Sequence, residues 1–235
     1  MSAKKVIFII FILLLITTFF MSQKPTDENK IPENNDELLI ELPSLVKEGE
    51  ESLEEVISER RSIRNYQDEP LTLKEVSQIL WAAQGITDPA SNFRAVPSAG
   101  ALYPLSIYIN ASNVEGLDSG LYQYLVDDHK LSLKTENNLK DKIYNAALQQ
   151  SSIKESGVTL IIAADYEITE ARYDDRAERY VHMEAGHAGQ NIYLQTTTLG
   201  LGTVAIGAFN DDEMKDILGI EKEPIYIFPV GKRMK

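Results

Sequence analysis

Arginine gathers in one short run of this 235-residue chain, Arg60-Arg61-Ser62-Ile63-Arg64, and basic residues return near the other end as Lys232-Arg233 behind Gly231. Guanidinium forks match pairs of phosphate oxygens, and a serine hydroxyl adds a directional donor. The protein as a whole carries a formal net charge of -13. In so acidic a body these clusters describe a local anion site. Nucleic-acid binding, which calls for a broad basic face, is excluded. Arg60, Ser62 and Arg64 fall two apart, so an extended segment would turn them to one side. Lys232 and Arg233 follow an apolar run over 225–230, and the end of a strand holds charges in place where a frayed tail does not. Between the two ends, residues 97–104 (PSAGALYP) are too rich in small residues and proline for ordinary helix or strand. The three segments read as the cradle of one phosphate-bearing cofactor.

Other chemistries find little support. The chain has no cysteine, which excludes disulfides, thiolate nucleophiles and thiolate metal sites. His182 and His187 are five apart, about 140° around a helix, so they do not form an i, i+4 metal pair and no metal is expected. Residues 200–205 (GLGTVA) match G-x-G-x-x-A but follow a helical pattern and lead into a strand, the reverse of a dinucleotide fingerprint. They read instead as a tight turn delivering Ile206 and Gly207 as bare backbone beside a ligand. Arg172 and Tyr173 lie in an Arg- and Tyr-dense stretch before a long helix. Tyr173 is placed to supply a proton and Arg172 to orient an anionic substrate; the same residues also suit an ion-paired helix start with aromatic packing.

The elements that must position these residues are legible in part. Ser52-Leu53-Glu54-Glu55 and Thr72-Leu73-Lys74-Glu75 are capping boxes, the second opening a helix with Val76, Ile79, Leu80 and Ala83 on one stripe and ending at Gly85. Further helices are expected over 138–150 and 176–199, the latter carrying Ala185, Gly186, Ala188 and Gly189 for close approach of a neighbour. Strands are expected over 105–111, 121–126, 131–134, 158–164, 203–208 and 225–230, the second and third as a hairpin. Helices and strands neither alternate nor segregate, which predicts an α+β fold with a mixed sheet and helices on both faces.

The N-terminus is of another kind. Residues 6–21 (VIFIIFILLLITTFFM) are apolar or nearly so, behind Lys4 and Lys5. As helix they span about 24 Å, short of the ~30 Å hydrocarbon core without snorkelling. The segment over 1–22 reads as an uncleaved anchor or a secretory signal, with the body outside the cytoplasmic membrane, membrane-anchored or secreted. Residues 23–37 read as an acidic disordered tether, and 38–235 as one domain.

Residues 38–235 resemble the FMN-dependent nitroreductase superfamily, in its SagB/ThcOx-type dehydrogenase branch. The resemblance rests on an ordered set: RRSIRNY (60–66), LTLKEVSQILWAAQGIT (71–87), RAVPSAGALYPLSIYI (94–109), GLYQY (120–124), EAGHAGQNIYL (184–194), LGLGTVAIGAF (199–209) and PVGKR (229–233). It implies a three-layer fold with a mainly antiparallel sheet, and a homodimer with two flavins at the interface. It implies that Arg60, Arg61, Ser62 and Arg64 bind the FMN phosphate and ribityl chain, with Lys232 and Arg233 closing on the phosphate. Pro97, Ser98 and Gly100 would lie along the flavin ring, with Ile206 and Gly207 bordering its other side. The implied activity passes hydride or electrons between a small organic or peptide substrate and a second partner, NAD(P)H or a membrane electron carrier. Oxidation of peptide azolines to azoles, or flavin binding without turnover, are the alternatives. Azoline-oxidising relatives carry Lys-Tyr where Arg172-Tyr173 aligns, and an arginine keeps its proton and cannot act as a base.

Overall fold

The run LSIYINA over Leu105–Ala111 buries every residue except Ser106, and VTLIIAA over Val158–Ala164 buries all of its residues. Strands apolar on both faces need cover on both, which puts them in the middle of a sheet. The computed structural model describes residues 38–234 and places them there. The expected anchor or signal (1–22) and tether (23–37) lie outside the described residues. Among the described residues, no helix is long and apolar enough to cross a membrane.

The main sheet takes strands β1 (Leu39–Glu41), β2 (Tyr66–Gln67), β3 (Leu105–Ala111), β4 (Gly120–Leu125), β5 (Lys130–Thr135), β6 (Val158–Ala164), β7 (Leu201–Thr203) and β8 (Glu223–Arg233). Their order is β1-β5-β4-β3-β6-β8-β7, with β2 also paired to β8. Every pairing in this sheet is antiparallel. The parallel component of the expected mixed sheet is a separate short pair, Leu71–Thr72 with Val114–Glu115.

The helices are α1 (Leu53–Glu59), α2 (Leu73–Gln84), α3 (Lys140–Ala146), α4 (Ser151–Glu155), α5 (Tyr166–Tyr173), α6 (Ala177–Thr198) and α7 (Asp211–Leu218). Alternation along the central strands sorts them into two layers. Ile107, Ile109, Leu160, Ile162 and Phe228 pack with α2 and α6. Tyr108, Ile161, Ala163 and Ile227, one residue out of phase, pack with α3, α4 and α7 on the opposite face. Each buried aliphatic contributes roughly 1.5–3 kcal/mol. The result is the three-layer α+β fold with helices on both faces.

Both capping boxes form, with Ser52 and Thr72 accepting from the backbone of Glu55 and Glu75. The helix expected over 138–150 shortens to α3, with α4 following beyond the expected range, because Leu148 and Gln149 take φ of 54 and 58. There the Gln149 N–H closes on the carbonyl of Tyr144, and the chain turns to bury Ile153. The strand expected over 203–208 forms earlier in the chain, as β7, and within the rest of the expected span Ile206 makes an isolated bridge to Ile227. The strand expected over 225–230 lengthens to β8, whose end reaches the basic residues. Helices α5 and α7 were not foreseen, although Asp211 and Asp212 stand in the first turn of α7 as the acids a helix start prefers.

Candidate functional site

The first half of the site lies where the arginine run crosses the β7–β8 edge. Arg60 ends α1, its guanidinium 5.0 Å from the centre of the Tyr193 ring on α6. Ser62 Oγ is 2.9 Å from Tyr193 Oη, and the Ala205 N–H donates to the same oxygen at 2.8 Å. Tyr193, which sequence reasoning passed over, thus joins the arginine run to the 203–207 turn. The Ile63 N–H donates to the carbonyl of Thr203 at 2.8 Å. Tyr66 Oη donates to the carbonyls of Ile63 and Pro229 at 2.8 and 3.0 Å, and burial pushes its phenol far up, keeping it protonated. This close approach requires glycine beneath. A Cβ at Gly202 would stand 2.7 Å from Ile63, and one at Gly231 would stand 2.5 Å from the Tyr66 ring.

Residues 62–65 therefore lie beside the end of β8. Ser62, Ile63, Arg64, Asn65, Arg233 and Met234 line a cavity of about 480 Å³ there. Among the described residues, no carboxylate pairs with Arg64 or Arg233. Two expected members of the set are held elsewhere. Arg61 turns back, donating to the carbonyls of Ser58 and Arg60 at 2.9 and 2.8 Å. Lys232 Nζ pairs with Glu75 Oε1 at 2.6 Å. The physical reason is alternation: successive residues of an extended chain point to opposite sides, so Lys232 leaves the side that Arg233 takes. Ile206 is also spoken for, because its N–H and carbonyl bond Ile227 at 2.8 and 3.0 Å. Gly207 beyond it is exposed, with open space where a side chain would start. Bare backbone is offered by Gly207, not by Ile206.

The second half is the loop from Pro97 to Tyr103. Gly100, Ala101 and Tyr103 have φ of 62, 54 and 51, conformations unfavourable for the two that carry side chains. Arg172 Nη1 donates to the Gly100 carbonyl at 3.3 Å. A Cβ on Gly100 would meet Arg172 Nη1 at 2.7 Å and Tyr173 Oη at 2.9 Å. Both side chains come from the last turn of α5, which breaks at Asp174 with φ of 46. The Tyr173 ring packs edge-on against Tyr180 at 5.0 Å. Arg172 and Tyr173 thus wall the loop that the sequence marked.

Beneath the loop, polar groups close a circuit. Ser98 Oγ accepts from the Tyr103 N–H at 2.9 Å. The Tyr103 ring lies under Arg94, whose guanidinium is 4.5 Å from its centre. Arg94 Nη1 reaches Gln84 Oε1 at 3.4 Å, and Gln84 Nε2 donates to Glu184 Oε1 at 3.2 Å. Glu184 is 2% exposed. Burial raises its pKa, opposed by hydrogen bonds from Ser98 and Gln84 and by the Arg94 charge. Sequence reasoning missed Glu184, yet a signal was available: it falls three after Val181 and four before Ala188, inside the buried stripe of α6.

Glu184 and Tyr193 stand nine residues apart on one helix, a rise of about 13 Å. The structure therefore collects the expected residues at two stations on α6. Arg60, Ser62, Arg64, Gly207 and Arg233 lie at one, and Pro97, Ser98, Gly100, Arg172 and Tyr173 at the other.

The three-layer α+β fold, with Arg64 and Arg233 at a sheet edge where they lack a carboxylate partner among the described residues, and with a strained loop on the helical layer, matches a nitroreductase-like oxidoreductase. The family model described as "Nitroreductase family" matches residues 57–232, taking in every residue of both stations except Arg233. A Methanocaldococcus jannaschii protein assigned as a nitroreductase is 46% identical over 200 residues, 85% of this chain and 99% of that one. Crystal structures of proteins assigned as nitroreductases from Anabaena variabilis and Ralstonia eutropha both superpose with a TM-score of 0.74. Their identities are 29% and 24%, each over 84% of this chain; the match spans 42% of the Anabaena chain and 90% of the Ralstonia chain. This chain belongs to the nitroreductase family and is an oxidoreductase.

Proposed function

We propose that the chain is an FMN-dependent oxidoreductase of the SagB/ThcOx type, acting between a small organic or peptide substrate and a second donor or acceptor. The observation that carries this reading is the cavity where Arg64 and Arg233, from opposite ends of the domain, stand beside Ser62 without a carboxylate partner among the described residues. That donor set suits a monophosphate, whose oxygens accept from guanidinium forks and hydroxyls. When bound, FMN supplies hydride transfer at its ring. Arg64, Arg233 and Ser62 hold the phosphate, with Arg60 fixed over Tyr193 at the same edge. Gly207 lets a flat ring lie close to backbone, and the 97–103 loop sets a second wall. Tyr173 holds a proton at its Oη, and Arg172 orients an anionic group. In this reading the protein is a homodimer, and an anchor or signal over 1–22 leaves the body outside the cytoplasmic membrane.

The test is flavin content. The purified chain is expected to be yellow and to bind FMN stoichiometrically, and Arg64→Ala with Arg233→Ala is expected to release it. Retained flavin in that double variant would remove the phosphate role. A second reading, dehydrogenation of peptide azolines, is favoured by the position of Tyr173 Oη against Gly100. It predicts azole formation by the purified enzyme that Tyr173→Phe abolishes.

A further inference from the structure

Glu184 is out of place on general grounds. A carboxyl at 2% exposure in the middle of a 22-residue helix loses hydration that few partners replace. A leucine or glutamine would fill the stripe between Val181 and Ala188 without a charge. The partners it does have all lead to one destination. Ser98 Oγ already accepts from the Tyr103 N–H, so its own proton is available to the Glu184 carboxylate. Gln84 presents its amide nitrogen to Glu184 and its amide oxygen to Arg94. Arg94 covers the ring of Tyr103, whose hydroxyl accepts from the Arg94 N–H at 3.4 Å. Every path from the carboxyl ends on the loop whose Gly100, Ala101 and Tyr103 hold left-handed backbone. Such conformations persist only where surrounding bonds over-determine them.

We infer that Glu184 is a positioning residue: its ionised carboxyl, through Ser98, Gln84 and Arg94, locks the 98–103 loop in the strained form that faces the flavin. The inference rests on the proposed flavin reading for its second half only; the hold on the loop stands without it. Protonation turns one carboxyl oxygen from acceptor to donor, and the Ser98 proton then competes for what remains. The loop is therefore tightest above the Glu184 pKa and loosens as pH falls through it. Among the described residues, the charged group acting on Glu184 is Arg94, from the strand Phe93–Arg94; α2 contributes neutral Gln84 and the loop neutral Ser98. Arginine stays charged throughout, so the acid transition belongs to Glu184.

Stability carries the opposite sign. Because burial raises the folded pKa above the ordinary value of 4.5, the fold favours the protonated form. That contribution is full below the ordinary value and is lost as pH rises through the folded one. A residue kept for stability would not show this pattern.

The experiment compares wild type with Glu184→Gln, with amide exchange of residues 99–103 measured in the flavin-free protein across acid to neutral pH and expressed throughout relative to the intrinsic rate of an unprotected amide at each pH. On that scale wild type is expected to exchange roughly tenfold faster at acid pH than at pH 7. Glu184→Gln should be fast at both, with a melting temperature at pH 7 equal to or above wild type. In FMN-loaded protein, the visible circular dichroism of the flavin should follow the same acid transition in wild type and lose it in the variant. Slow, pH-independent exchange in both proteins overturns the inference. Altered exchange with an unchanged flavin spectrum overturns the coupling to the flavin, whereas failure to bind FMN at all overturns the flavin reading and leaves the exchange result standing. Ser98→Ala, which cuts the link from the loop side, is expected to reproduce the fast exchange and decides the matter if Glu184→Gln fails to fold.

Discussion

The two stations on α6 are built on opposite principles. At the sheet edge the backbone is regular, anchored by Tyr66, Gly202 and Gly231, and the cations Arg64 and Arg233 have no carboxylate partner among the described residues. At the 97–103 loop the backbone is strained, and its polar groups are bonded to one another through Ser98, Gln84, Arg94 and Glu184. In the proposed reading, one station keeps its hydrogen-bonding capacity open for a ligand. The other uses that capacity internally to hold a shape. Substitutions should therefore divide: at the edge they weaken binding and spare stability, and at the loop they do the reverse.

Removing both cavity arginines should have the largest effect. With charge-assisted hydrogen bonds at about 1.5–3 kcal/mol each, Arg64→Ala with Arg233→Ala should weaken FMN binding by roughly a hundredfold or more. Quenching of FMN fluorescence measures it, and a melting temperature close to wild type would keep the edge distinct from the frame. Gly100→Ala should do the converse, destabilising the fold by about 1–3 kcal/mol through a left-handed φ and displacement of Arg172. A denaturant titration reads that loss; no loss would mean that the loop is looser than its bonds imply. Lys232→Met is smaller. It breaks a half-buried pair with Glu75 and should lower stability by about 1–2 kcal/mol while FMN affinity stays within twofold. A large fall in affinity would return Lys232 to the phosphate.

A still smaller effect should come from a residue outside both stations. His129 bridges Ser77 Oγ at 2.9 Å and Tyr124 Oη at 2.8 Å, tying the β4–β5 hairpin to α2. Burial holds its pKa below the ordinary 6.5, so the neutral ring is the favoured form. Its contribution is full above about pH 6.5 and is lost as pH falls through the folded value. His129→Gln should flatten that part of the stability–pH curve, read by thermal melts, and leave FMN binding unchanged.

Much of the frame was legible because it depends on local chemistry. Ser52 and Thr72 announced their helices through capping boxes, and the central strands announced themselves by burial on both faces. The arginine run was legible as a candidate anion-binding segment, and the structure brings Ser62 and Arg64 from it to one cavity with Arg233, while Arg60 lies over Tyr193. Strand alternation also separates Lys232 from Arg233, a deduction available from the sequence that counting basic residues obscured. Tyr193 and Glu184 were harder. Each acts through at least one partner more than eighty residues away in the chain, Ser62 for Tyr193 and Gln84 for Glu184, and nothing in the local pattern of α6 reveals who those partners are. The break at Leu148 and Gln149 was hidden for a related reason, since burial of Ile153 overrides a continuous helical pattern.

Helix α6 serves as a ruler as well as a wall. A single residue inserted between Glu184 and Tyr193 would turn one station about 100° relative to the other and lengthen the gap by about 1.5 Å. Neither change can be absorbed by side chains already fixed at both ends. Variation in the span of molecule accommodated must then come from the loops at either margin, and engineering for a bulkier guest should begin at 97–103 or 203–207 while leaving the helix at its present length.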